Sequence, residues 1–236
     1  MSDKLIVALD YAFENEARAL VDELGDDVSF YKVGLELFLN TRGSVVDYLK
    51  QKNKKVFLDL KFHDIPNTVA QAAAWVASFG VDMFTIHSSG GSEMMKMSLD
   101  SINEVCARLN VKVPKMVGVT ILTSFDEAGI ARVGFKDDIA TSALNLAKLC
   151  QTSGLPGVVC SPHEVTRIKE QCGQDFITVC PGIRPSWAAK GDQKRITTPA
   201  DAIAIGVDHM VVGRPITKAE NPREAALKIL EEIGGK

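Results

Sequence analysis

The chain has 236 residues, of which 46% are hydrophobic and 24% charged, and its formal net charge is −3. That is an ordinary globular composition with enough apolar material for a core. The mild acidity argues against a nucleic-acid groove or an anionic membrane surface as partner.

Met1-Ser2-Asp3-Lys4 leads straight into an apolar run, Leu5 to Leu9, which is too short for a signal-peptide core and follows an acidic residue. That run opens the first predicted strand, Leu5–Asp10, and a helix-like stretch follows over Phe13–Leu24. Strand Ser29–Gly34 then leads to helix Leu35–Gln51, Lys55–Lys61 to Asn67–Phe79, and Met83–Ser88 to Gly91–Leu109. Lys115–Thr120 precedes Asp137–Ser153, and Gly157–Ser161 precedes His163–Cys172. Phe176–Pro181 is followed by Ala200–Ile205, and His209–Arg214 by Pro222–Ile233. Nearly continuous apolar strands alternating with amphipathic helices argue for a parallel sheet covered by helices. Eight repeats with none missing favour closure into a (β/α)8 barrel, an α/β fold forming a single domain over residues 1–236.

Two connections are long, 121–136 after the fifth strand and 182–198 after the seventh. Long structureless connections are usually functional lids, and in a barrel they lie on the catalytic face. The second carries Arg184, Lys190, Gln193, Lys194 and Arg195. A G-x-G-x-x-G turn is absent after the first strand, where Leu9-Asp10-Tyr11-Ala12 stands, which argues against a dinucleotide site. The longest uncharged stretch, Ile65 to Val81, contains Pro66, Asn67 and Thr68 and falls short of the roughly 20 apolar residues that span a bilayer. A soluble, cytoplasmic protein is expected. Cys106, Cys150, Cys160, Cys172 and Cys180 include no C-x-x-C pair and read as reduced, buried thiols rather than a disulfide or zinc framework.

Val56-Phe57-Leu58-Asp59-Leu60-Lys61 is the most informative segment. Alternation along a strand puts Asp59 and Lys61 on one face and the two leucines on the other. The leucines suit the helix-packed outside, leaving the charges to point into the barrel near its mouth, where desolvation is expensive without a partner. A structural ion pair would need two charges. Asp10 at the end of the first strand and Lys32 in Phe30-Tyr31-Lys32-Val33-Gly34 bring the set to four of alternating sign. Such an array can hold a lysine protonated and fixed in a dry site.

Barrels often bind phosphate with the loops after strands seven and eight. Here Pro181-Gly182-Ile183-Arg184 and Val212-Gly213-Arg214-Pro215 each pair a glycine, which lets backbone amides approach an anion, with an arginine that can grip it. Asp64 and Thr68 could instead cap a helix starting near Asn67. His63 and His87 suit neutral hydrogen-bonded roles, His163 a helix start, and Asp126-Glu127 a solvated short helix. No G-x-S-x-G elbow supports a Ser-His-Asp triad.

Asp59-Leu60-Lys61-Phe62-His63-Asp64-Ile65-Pro66-Asn67-Thr68 resembles the signature of the orotidine 5′-monophosphate decarboxylase family, whose core is D-x-K-x-x-D. The resemblance is of the bacterial type and extends over the whole chain. It includes Val7-Ala8-Leu9-Asp10, Tyr31-Lys32-Val33-Gly34, Leu122-Thr123-Ser124 and the P-G-I-R and V-G-R-P segments. It implies decarboxylation of orotidine 5′-monophosphate to UMP and CO2, the last step of de novo UMP synthesis, by a homodimer without metal or organic cofactor. It further implies Lys61 as proton donor to C6 of the pyrimidine and Asp59 beside the substrate carboxylate. Lys32 and Asp64 complete the array, with Asp64, Ile65 and Thr68 reaching into the partner subunit's site. Asp10 is similar to the ribose-binding aspartate, assisted by Lys32. Thr123 would lie near the pyrimidine, and Arg184, Gln193, Gly213 and Arg214 would close on the phosphate.

Two rival readings fit the residues less well. Magnesium-dependent sugar-phosphate decarboxylases or aldolases of the same wider group place a carboxylate, as metal ligand, where this chain has Lys32, which cannot serve a hard cation. A non-catalytic phosphometabolite-binding barrel would keep the arginines but have no need of Asp59, Lys61 and Lys32 together.

Overall fold

The computed structural model describes residues 3–188 and 197–234. The strands are β1 (Leu5–Ala8), β2 (Phe30–Gly34), β3 (Lys55–Phe62), β4 (Met83–His87), β5 (Lys115–Val119), β6 (Gly157–Val159), β7 (Ile177–Pro181) and β8 (His209–Val212). They are hydrogen-bonded in chain order as a closed barrel, with helices between them, so the fold is a (β/α)8 barrel. Each predicted strand matches an observed one to within two residues at either end.

Packing groups the chain into two compact units, Met1–Asp59 with Gly182–Lys236, and Leu60–Pro181. In the first, β1 pairs in parallel with β8 and β2, and β2 with β3; Ala8 lies opposite Lys32, and Gly34 opposite Asp59. In the second, β4 to β7 pair in order, with His87 opposite Val119 and Val159 opposite Val179. The strands are apolar because both faces are covered: β1 is buried throughout, as are Met83 to Ile86 of β4. Gly157 is needed where β6 meets β7, because a Cβ there would lie 2.3 Å from the Ile177 carbonyl oxygen.

Three helical expectations need correction. The stretch 35–51 is not one helix but two, Leu35–Thr41 and Ser44–Gln51. Arg42 (φ 51°) and Gly43 (φ 86°) turn left-handed between them, and their amides bond back to Leu39 and Phe38 carbonyls, a helix stop that the continuous apolar pattern conceals. The connection 121–136 is not structureless. It holds the short helix Glu127–Arg132, capped by Asp126, and Ile121 and Ile130 pack with Ala143 against Phe125, Phe135, Ile139 and Leu146. Arg214, expected to end the last strand, instead begins a short helix, Arg214–Thr217.

All five cysteines are free and buried. Burial pushes the Cys150 thiol up to about 12, which keeps it protonated and unreactive. Among the described residues no helix is long and apolar enough to cross a membrane.

Candidate active site

Lys32 is the centre of the charged cluster in the first unit. Parallel pairing of β2 with both β1 and β3 puts it between Asp59 on β3 and Asp10, which stands two residues beyond the end of β1. Its Nζ donates to Asp10 Oδ1 at 2.9 Å and lies 3.8 Å from Asp59 Oδ2. The side chains of Lys32 and Asp59 are each 12% exposed, whereas that of Asp10 is 62% exposed. A largely buried ammonium flanked by two carboxylates offsets part of its lost hydration by pairing. The three groups alone carry one negative charge in excess, a setting that favours a further cation.

Space around this ammonium is arranged by a missing side chain. A Cβ on Gly34 would stand 3.1 Å from Lys32 Nζ and 3.8 Å from Asp10 Oδ1. Gly34 has φ −87°, which any residue adopts, so the glycine serves space and not backbone conformation. Gly213 is also close, a Cβ there falling 3.4 Å from Asp10 Oδ2. Asp10 and the V-G-R-P turn are therefore neighbours. Gly182 of P-G-I-R adopts φ 82°, a conformation that does require glycine. The two arginines differ: Arg184 is buried, 5% exposed, with its amide bonded to the Thr197 carbonyl, while Arg214 is exposed at the start of its short helix. Gln193, with Lys190, Lys194 and Arg195, lies outside the described residues.

Lys61 belongs to the second unit and departs from expectation. Its φ is 52°, so the strict alternation predicted from Asp59 to Lys61 stops at Lys61. For an L residue this conformation costs on the order of 1–2 kcal/mol. The Lys61 amide donates to Thr85 Oγ1 at 2.8 Å. This contact was not legible in the sequence; the only signal was one hydroxyl within the apolar run Met83-Phe84-Thr85-Ile86. Beyond β3, His63, Asp64, Ile65 and Thr68 are exposed. The following helix begins at Pro66 with Ile65 in the capping position and no side-chain cap, so Asp64 and Thr68 do not cap it. Proline at the first helical position has no amide to satisfy and a preset φ. Asp64 Oδ1 accepts instead from the Ile65 amide at 2.6 Å. His63 and His87 lie with ring centroids 5.2 Å apart, and Thr123 is exposed just beyond β5. Among the described residues no group of three or more His, Cys, Asp or Glu is placed to hold a metal ion.

Comparison with known proteins adds an independent line. The family described as Orotidine 5′-phosphate decarboxylase / HUMPS family matches residues 3–229. A relative from Nostoc sp., named orotidine 5′-phosphate decarboxylase, is 46% identical over 98% of each chain. Another of that name, from Carboxydothermus hydrogenoformans, is 48% identical over 100% of this chain and 98% of its own. The solved orotidine 5′-phosphate decarboxylase of Lactobacillus acidophilus is 39% identical, covers 99% of this chain and 100% of its own, and superposes with a TM-score of 0.87.

Proposed function

The chain belongs to the orotidine 5′-phosphate decarboxylase / HUMPS family, and on that footing we propose that it decarboxylates orotidine 5′-monophosphate to UMP in pyrimidine biosynthesis. The family name joins two chemistries, and one observation separates them here. Lys32 stands between Asp10 and Asp59, and an ammonium has no lone pair to offer a magnesium ion. The relatives named above agree with the decarboxylase half of the name.

In this reading the C6–carboxylate bond breaks, CO2 departs, and its electron pair stays on C6. The Lys61 ammonium stabilises that charge and then gives C6 its proton. Asp59 faces the substrate carboxylate, and two such charges about 4 Å apart repel by about 4 kcal/mol at an effective dielectric near 20. Asp10 takes the ribose hydroxyls with help from Lys32. Gly213 and Arg214 hold the phosphate with Arg184 and Gln193, and the proximity of Gly213 to Asp10 suits a ribose and phosphate on one ligand. Thr123 lies by the pyrimidine. Phosphate binding far from C6 supplies binding energy to the transition state. We assign the enzyme no metal or organic cofactor and place it in the cytoplasm. Its working form is a homodimer in which Asp64, Ile65 and Thr68 enter the partner's site; the 67% exposure of Ile65 in the single chain supports this.

The test is a spectrophotometric assay of orotidylate consumption after exhaustive chelation. Turnover should persist in full, and Lys61→Ala should lose it by many orders of magnitude while the product nucleotide UMP still binds. Activity that vanishes on chelation and returns with magnesium would favour the metal-dependent reading. A Lys61→Ala enzyme with near-parental turnover would remove Lys61 from the chemistry.

A further inference from the structure

We propose that Thr85 is a positioning residue for catalysis, its hydroxyl holding the backbone of Lys61 in the left-handed conformation that aims the lysine side chain. The proposal rests on the assignment of Lys61 as proton donor. It begins from a conflict at one position. Glycine would adopt φ 52° freely but carries no ammonium, and lysine carries the ammonium but resists this backbone. A residue persists in such a region only where its surroundings hold it there.

Thr85 is suited to do so. Its Oγ1 accepts the Lys61 amide hydrogen at 2.8 Å, and the residue is fully buried. It lies on β4 between Phe84 and Ile86, both fully buried, and the Phe84 ring lies 6.3 Å from that of Phe62, the neighbour of Lys61. A β-branched side chain has little rotameric freedom, so the strand backbone dictates where the hydroxyl stands. The reversed φ changes the direction of the Lys61 Cα–Cβ bond relative to a regular strand. The hydroxyl therefore couples the aim of the lysine to a rigid strand of the barrel. Many buried threonines only satisfy a nearby amide. A threonine doing no more than that would affect stability and leave the chemical step alone.

Thr85→Val keeps the branched shape and deletes the acceptor; Thr85→Ser keeps the acceptor and deletes the methyl. We expect Thr85→Val to lower kcat roughly a hundredfold, the scale of an ångström's misplacement, with UMP affinity and KM within about threefold of the parent. Thr85→Ser should recover kcat to within about threefold of the parent, because it restores the hydroxyl. Should Thr85→Val not fold, Thr85→Ala deletes the same hydroxyl with less bulk and faces the same criteria. Parental turnover in the hydroxyl-free variant overturns the proposal. So does a Thr85→Ser enzyme as slow as Thr85→Val, or a UMP affinity that falls in step with kcat. Lys61→Ala, measured alongside, separates the two levels of the argument. If it is inactive and Thr85→Val is normal, only the role of Thr85 fails. If it is active, the assignment of Lys61 fails first.

Discussion

At the scale of single residues, the charged cluster depends on an atom that is absent. Gly34 leaves room for Lys32 Nζ, which a methyl group would approach to 3.1 Å, closer than nine in ten real Cβ contacts. Gly34→Ala is conformationally easy at φ −87°, so its stability should change by less than about 1 kcal/mol. The ammonium must nevertheless shift relative to Asp10 and Asp59. We expect kcat/KM for orotidylate to drop about tenfold, or about 1.4 kcal/mol of transition-state stabilisation. Steady-state kinetics beside a thermal melt decide this: an unchanged kcat/KM with an unchanged melt would show that Lys32 tolerates displacement. Asp10, Lys32 and Asp59, which meet in the first unit, could be read from the sequence because acidic and basic residues inside or at the ends of apolar strands are conspicuous. The spacing that organises them could not. A glycine kept for room looks like any other glycine, and the φ of Lys61 leaves no mark in an alternation that counts residues rather than dihedral angles.

At the scale of elements, the strands were legible because burial on both faces writes them as nearly continuous apolar runs, and β1, buried at every residue, is a clear case. Helix interruptions were less so. The amphipathic pattern continues across Arg42 and Gly43, although the backbone does not. The turn into the helix Val165–Cys172 shows how local capping and burial combine. Ser161 and Glu164 form a capping box, with the Ser161 amide 3.0 Å from Glu164 Oε2. Burial raises the Glu164 carboxyl to about 7 from its ordinary 4.5. The folded chain thus retains a proton that the unfolded chain releases from about pH 4.5 upward, and stability falls as pH rises to about 7. The neighbouring Cys160 thiol is held protonated chiefly by its hydrogen bond with Cys180 and by burial, with Glu164 adding to the effect and Lys169 opposing it. Glu164→Gln has no such proton, so its stability relative to the parent should improve by up to about 3 kcal/mol between pH 5 and 8. Thermal denaturation of both proteins at the two pH values measures the difference, in which the other titrating groups cancel. A difference that is the same at pH 5 and pH 8 would mean that Glu164 does not titrate in this window.

At the scale of the whole molecule, every candidate on the loops follows the C-terminal end of a strand, where barrels place their chemistry. Asp64 and Ile65 follow β3 and are both exposed in the single chain, which motivates the shared site. Ile65 is 67% exposed in the single chain, and in the proposed dimer the partner's surface would cover it. If Lys61 of one chain works with Asp64 of the other, two inactive variants can repair each other. Suppose Lys61→Ala and Asp64→Ala proteins, each nearly inactive, are dissociated, mixed equally and allowed to re-pair. About half the dimers should be mixed, and two-fold symmetry gives each mixed dimer one site with both lesions and one with neither. About a quarter of all sites are then intact, and activity should climb toward that fraction of the parent as subunits exchange. Native mass measurement reports the exchange independently of turnover. If mixed dimers form and activity stays at the level of the separate variants, Asp64 serves the site of its own chain. A chain that remains monomeric at assay concentration yet fully active would remove the need for a partner altogether.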